Sequence, residues 1–399
     1  MTDTLLLRNI RPFGADNTDV LIRDGRIAEV AADQPSPDGG SVEECNGAIL
    51  LPGLVEAHTH LDKSLWGMGW REHQAGPALR DKIDNERRLR REWNIDPHRQ
   101  SMRQALLSLG HGTTAIRSHV DVDTDTGLAG IEGVLRTREV LANDVDIEIV
   151  AFPQSGLMSR PGTFELLDNA MRMGADVVGG LDPCGIDADP KGQLDAVFGL
   201  AETHGKPIDI HLHEPGELGA FSMSEIIERT KAYGMQGKVT ISHAFCLGMP
   251  DRDQARALVD GLAEARIHIS TVATPSRPVP LADDLRNAGV ILCAGSDGIR
   301  DTWGPYGNAD MLERAMLLGL RNNYRADTDV EHALWCCSWG GAAVMGLKNY
   351  GIEPGCKADL VVVDGESVTH SVVSHPARKL VLKAGRIVAR NGQSLKETP

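Results

Sequence analysis

Hydrophobic and polar positions are arranged differently at the two ends of the chain and in its middle. The ends read as short strands broken by turns: "TLLLRNI", "DVLIRDGRIAEVA" and "SVEECNGAIL" first, "KADLVVVDG" and "ARKLVLKAGRIVARNG" last. The Asp-Gly of "RDGR" is a tight-hairpin signal, and a second hairpin is expected around Lys383-Ala384-Gly385. Two strand-rich ends flanking a different middle predict one small β-sandwich domain, formed by 1–51 and 345–399. Separate terminal extensions are the alternative.

Between them, apolar runs of strand length alternate with segments of helical period. The strands expected are "GLVEAHTH" (53–60), "TTAIRSHVD" (113–121), "DIEIVAFPQ" (146–154) and "DVVGGLDP" (176–183). "PIDIHLHE" (207–214), "KVTISHAF" (238–245), "HISTVA" (268–273) and "VILCAGSDG" (290–298) complete them. Segments such as "MRQALLSLG", "TFELLDNAMRMG" and "QLDAVFGLAETHG" separate the strands, several closing on a Gly suited to a helix C-cap. This repeated β-then-α order predicts an α/β fold, a (β/α)8 TIM-type barrel over 52–344. A doubly wound sheet is the alternative, but no GxGxxG follows the first strand.

Bulk properties remove several function classes. A chain of 399 residues suits one large barrel with an appendage, and 41% hydrophobic with 24% charged residues is ordinary for a soluble globular protein. The formal charge is −15 and the basic residues gather in no patch, which argues against nucleic acid or an anionic membrane as partner. No signal peptide and no membrane span are expected. Seven scattered cysteines without a CxxC pair fit a reducing, cytoplasmic setting better than a disulfide scaffold.

Candidate chemistry sits at the strand ends, which in a barrel converge on one mouth. The first strand ends in His58 and His60, and the fifth alternates Ile208, Ile210 and Leu212 with Asp209, His211 and His213. The apolar set is expected to face the helices and the polar set the barrel interior. The sixth strand ends at Ser242-His243 and the eighth at Ser296-Asp297. Three or more imidazoles with a carboxylate form an N/O donor set for one divalent transition metal, zinc or iron.

Together "LPGLVEAHTHLDK", "DIHLHE", "ISHAF", "AGSDGIRDTW" and "GIEPGCKADLVVVD" resemble the amidohydrolase superfamily over essentially the whole chain. "AFPQSG" followed by "GADVVGGLDP" is similar to its cytosine deaminase branch, which also holds aminohydrolases acting on N-alkylated triazines. The resemblance implies a metal held by His58, His60, His211 and Asp297, with His243 beside the attacking water. It implies one metal, since the fourth strand carries neither Lys nor Glu, with Asp182 near its end as the alternative bridging acid.

By the same resemblance Asp297 takes the proton of the water, Glu214 is the acid, and Gln154 reads the substrate. Lys63, His213 and Trp303 join it as substrate contacts, with Trp66 and Trp70 as further walls. Gly298 departs from typical cytosine deaminases, which carry an acid there, while Lys63 and "SDGIRDTW" are closer to the triazine enzymes. The expected activity is metal-dependent release of ammonia or an alkylamine from a small heterocycle such as a pyrimidine or triazine. Ring-opening cyclic amidohydrolase chemistry and a non-catalytic barrel scaffold are the alternatives. Barrels of this type often assemble into homo-oligomers, and no segment identifies an interface.

Overall fold

The computed structural model describes residues 4–397; residues 1–3 and 398–399, the outer ends of the expected terminal domain, lie outside them. Four strands open the chain: β1 (Thr4–Pro12), β2 (Thr18–Arg23), β3 (Arg26–Ala31) and β4 (Ser41–Pro52). Eight follow: β5 (Leu54–Thr59), β6 (Thr113–Asp121), β7 (Asp146–Phe152), β8 (Val177–Leu181), β9 (Ile208–His211), β10 (Val239–Ser242), β11 (His268–Thr271) and β12 (Leu292–Ala294). The last are β13 (Leu360–Val363), β14 (Arg378–Lys383), β15 (Arg386–Arg390) and β16 (Gln393–Ser394). Helices α1 (Leu79–Glu92), α2 (Pro97–Gly110), α3 (Ala129–Val140), α4 (Thr163–Met173) and α5 (Pro190–His204) precede β9. They are followed by α6 (Gly216–Ala232), α7 (Arg252–Glu264), α8 (Ala282–Asn287) and α9 (Met311–Arg321).

Strands β5 to β12 pair in chain order, each parallel to the next, at the eight positions expected from periodicity. The barrel is nearly closed. Its two edge strands meet at one bridge, Thr59 to Asp297, where the Asp297 N–H donates to the His58 carbonyl at 2.8 Å. Alternation holds as read: Ile208, Ile210 and Leu212 are fully buried in the core shared with the helices. Asp209 points inward and accepts from Arg117 Nη1 at 3.0 Å. Gly174 and Gly205 close α4 and α5 in the left-handed conformation, whereas Gly110 is the last residue of α2 and the left-handed turn falls on Gly112.

The two chain ends do meet, but in one continuous sheet, not the expected pair of stacked sheets. Its order is β3-β2-β1-β4-β13-β14-β15-β16. The cause is β4, twelve residues long, which pairs with β1 on one edge and β13 on the other. Successive side chains of β4 then serve two cores: Ala48 and Leu50 join the sheet's own, Ile49 and Leu51 the barrel's. The sheet also curls over, since Gly25 and Gly385, in the turns of two hairpins far apart in strand order, both bond to the backbone of Ala358.

Helix α1 was hidden in what reads as a long loop after the first strand. Its buried stripe is Ile83, Glu86, Leu89 and Arg90, so half of the inward face is charged and the apolar period is masked. No helix among the described residues is long and apolar enough to cross a membrane.

The β5–β12 seam has no spare room. A Cβ on Gly295 would lie 2.5 Å from the His58 carbonyl oxygen and 2.6 Å from the His58 Cβ. Gly295→Ala is therefore expected to destabilise the protein by roughly 1–3 kcal/mol, read as a lower denaturant midpoint. An unchanged midpoint would show that the seam gives way without cost.

Candidate metal centre and cleft

The barrel mouth gathers histidines because every second residue of a strand points inward. Glu56, His58 and His60 share that face, while Thr59 turns outward to accept from Gln104 Nε2 of α2 at 2.7 Å. His58 Nδ1 lies 3.0 Å from Ser242 Oγ, whose own proton goes to Asp209 Oδ1 at 2.7 Å. His60 Nδ1 lies 2.9 Å from the His119 carbonyl. Both rings therefore carry their proton on Nδ1 and present a bare Nε2 to the mouth.

Those Nε2 atoms converge with the other expected donors. His60 Nε2 is 3.1 Å and His58 Nε2 3.6 Å from Asp297 Oδ1. Donor atoms of His58, His60 and Asp297 lie within 4.8 Å of one another, as do those of His58, His211 and His243. Both ring nitrogens of His211 and His243 are buried without a hydrogen-bond partner, as is His58 Nε2. Burial, then the neighbouring imidazoles, holds the pKa of His211 and His243 well below the usual value, leaving them neutral donors. Burial opposes charge on Asp297, but the His58 and His60 rings outweigh it and keep the carboxyl far below its usual range. Buried nitrogens are rarely left unpaired. Three imidazoles and a carboxylate with bare donor atoms fit a divalent cation.

One member of this cluster was overlooked in the sequence. His119, on β6, is fully buried, with its ring centre 4.1 Å from that of His58 and 4.5 Å from that of His211. Both of its nitrogens also lack hydrogen-bond partners. The signal was present, since "TTAIRSHVD" places His119 near a strand end as His58 and His243 are placed near theirs.

The residues expected to act on substrate fall into two groups. His213 and Glu214 follow β9. His213 stacks on His243 with ring centres 4.3 Å apart, and its Nδ1 meets Asp182 Oδ2 at 2.8 Å. Burial works against charge on His213, but the Asp182 carboxylate prevails and raises its pKa. Glu214 Oε1 accepts the N–H groups of Cys184 and Gly185 at 2.8 and 2.7 Å, and Oε2 accepts from Ser222 of α6. Burial nevertheless pushes the Glu214 carboxyl above its usual pKa.

Lys63, Gln154 and Trp303 form the second group, and one carboxylate joins them. Glu86 of α1 accepts from Gln154 Nε2 at 3.1 Å and from the Trp303 indole, and lies 3.3 Å from Lys63 Nζ. Lys63 is 2% exposed and donates to Gln154 Oε1 at 2.6 Å and Asp121 Oδ1 at 3.2 Å. It is a buried hub that also lines the cleft. Burial opposes its charge, but Asp121 and Glu86 raise its pKa. Arg90, also on α1, bonds Asp62 and Asp121 at 2.9 and 2.8 Å. Gln154 thus has both ends of its amide engaged by protein, and Trp66, stacked under Arg300, does not line the cleft. Trp70 is 72% exposed and also stands outside it.

The cleft above the histidines has a volume of about 850 Å³. His60, Lys63, Gln154, Asp297 and Trp303 line its inner end, and Val272, Leu317 and Leu320 an apolar outer part. A side lobe of about 460 Å³ holds Glu214 and His243, with Asp297, His213 and Trp303 common to both spaces.

Glu86 anchors three cleft side chains, so its removal leaves buried cations short of a partner. Glu86→Ala is expected to lower stability by roughly 3–5 kcal/mol, measured as the shift in chemical denaturation. A loss under about 1 kcal/mol, the scale of an exposed pair, would dissolve the network as a unit.

The amidohydrolase family model matches residues 41–389. The chain is 32% identical over 393 residues to the N-isopropylammelide isopropyl amidohydrolase of Pseudomonas sp. (strain ADP), covering 97% of each. The crystal structure of N-isopropylammelide isopropylaminohydrolase from Burkholderia multivorans ATCC 17616 superposes with a TM-score of 0.95 and 49% identity, covering 98% of this chain and 100% of that one. The 5-methylcytosine deaminase of Klebsiella pneumoniae liganded with 5-fluorocytosine gives a TM-score of 0.85 and 25% identity over 98% of each chain. The chain belongs to the amidohydrolase family.

Proposed function

We propose that this protein is a metal-dependent aminohydrolase that releases ammonia or an alkylamine from a small nitrogen heterocycle. The observation that carries the reading is the set of buried, partnerless imidazole nitrogens beside Asp297 at the floor of the cleft. His58, His60, His211 and Asp297 would hold one divalent ion, zinc or iron. When bound, such an ion supplies the Lewis acidity that brings a water's pKa from about 15.7 towards about 7.

The chain's own groups then divide the work. Asp297 has a second carboxylate oxygen with which to take the proton of the attacking water. His243 steadies the charge that develops on the attacked carbon's substituent. Glu214, with its pKa raised by burial, protonates a ring nitrogen and then assists the departing amine. His213, held by Asp182, would support that proton transfer from the neighbouring wall. Trp303 offers a ring face to a planar substrate, and Gln154 and Lys63, which bond each other at 2.6 Å, would trade part of that pairing for its polar edge. The apolar outer part of the cleft suits an alkyl group on the leaving nitrogen. Together with Lys63, Gly298 and the likeness to the N-isopropylammelide enzymes, it favours a triazine-type substrate over cytosine.

The test is a screen of the metal-loaded protein for ammonia or amine release across cytosine, isocytosine, ammelide and its N-alkyl forms, creatinine and pterins. Amine without a new carboxylate is expected; a new carboxylate instead would place the enzyme among the ring-opening amidohydrolases. Glu214→Gln is expected to keep its metal and lose roughly a hundredfold or more in turnover. Full activity in that variant removes Glu214 from the mechanism.

A further inference from the structure

The loop between β12 and α9 brings into the cleft a carboxyl that the roles above leave unused. Asp301 is 5% exposed and lines the cleft near Lys63, Asp297 and Trp303. Its Oδ1 accepts the N–H groups of Trp303 and Gly304 at 2.8 and 3.1 Å, and its carbonyl lies 2.8 Å from His73 Nε2. Among the described residues no protein group donates a hydrogen bond to Oδ2. That oxygen lies where a side chain at position 298 would begin, since a Cβ built on Gly298 would come within 1.9 Å of it. The missing side chain next to Asp297 is thus replaced by a carboxyl from three residues further on.

A carboxyl that only shaped the turn would need one oxygen for the two amides and could leave the other in bulk water. Here the residue as a whole is 5% exposed, while its other oxygen is not fully enclosed and stays open to a ligand in the cleft. Burial pushes the carboxyl up to about 6 despite the nearby Lys63. A carboxylate oxygen with no protein donor and few routes to solvent gains a charge-assisted hydrogen bond from a ligand that supplies an N–H.

We propose that Asp301 Oδ2 is a specificity-determining contact that accepts an N–H of the bound heterocycle and so selects rings protonated at that edge. The inference rests on the reading of the cleft as a heterocycle site. It adds a residue whose chemistry is recognition: Asp301 sorts ligands by whether they bring a donor. An N-methyl group at the same edge would meet the carboxylate and leave it unpaired.

Asp301→Asn is the discriminating variant. Its side-chain oxygen keeps the two turn amides, and its NH2 takes the place of Oδ2, exchanging an acceptor for a donor. The probes are cyanuric acid and its fully N-methylated form, titrated calorimetrically into metal-loaded, full-length protein. The wild type is expected to prefer cyanuric acid, and the variant to lose roughly tenfold to a hundredfold in affinity for it. Affinity for the methylated probe stays within about threefold, so the preference collapses, while metal content holds. A variant that keeps the wild-type preference overturns the proposal. So does one that weakens both probes equally, because that is the mark of a merely structural loop residue.

If Asp301→Asn does not fold, Gly298→Ala decides, since its Cβ displaces Oδ2: lost preference supports the proposal and retained preference overturns it. Amine release by the wild type is scored separately. Asp301-dependent binding without turnover of any heterocycle upholds this inference and overturns the catalytic reading. Turnover with an unaltered preference does the reverse, and binding of neither probe overturns the inference.

Discussion

The whole mouth depends on the seam where β12 meets β5. The three residues of β12 pair with β11, and closure onto β5 rests on a few bonds made just past its end. Asp297 donates its N–H to the His58 carbonyl, and Thr59 Oγ1 donates to the Asp297 carbonyl at 2.8 Å. Glu56, buried at the same place, accepts from the N–H groups of Ser296 and His58 at 2.9 and 3.3 Å. Asp297 itself takes a left-handed φ of 63°, which turns its carboxylate back over the two imidazoles. The residues that close the barrel therefore include two of the candidate metal donors, His58 and Asp297. Barrel geometry and donor geometry are one constraint.

Two buried charge networks hold the mouth from opposite sides. Inside the barrel, Arg117 of β6 binds Glu148 of β7 at 2.5 Å and Asp209 of β9 at 3.0 Å, and Asp209 reaches His58 through Ser242. On the outer wall, α1 supplies Glu86 and Arg90 to Lys63, Asp121 and Asp62. Buried ion pairs contribute little net stability after desolvation, but each fixes side chains in one arrangement when every partner is satisfied. Here the first orients a ring of the candidate centre, and the second sets Lys63, Gln154 and Trp303.

Properties that repeat locally along the chain are legible in it, and partnerships between distant residues are not. The eight barrel strands were legible because alternation and helical period are local patterns, and His58, His60, His211, His243 and Asp297 because strand ends must converge. Helix α1 was not, because its inward face carries Glu86 and Arg90, whose burial only distant partners make tolerable. Nor was the single terminal sheet, because nothing within β4 states that it has a neighbour on each edge. Lys63 could be seen as unusual at its position, but the sequence offered no sign that it would be enclosed by Asp121, Glu86 and Gln154.

What the sequence determined by itself is the alternation: which side chains of each strand point inward, and hence which residue types meet at the barrel mouth. That follows from backbone geometry, which sends every second side chain to the same face whatever lies around it. Tertiary structure alone decided which of those side chains engage one another. Glu86 bonds Trp303 across 217 positions, Arg117 bonds Asp209 across 92, and Asp301 fills the space left open by Gly298. Such pairings depend on the distances between folded segments and on the burial that makes an unpaired charge costly, and neither exists until the chain has closed on itself.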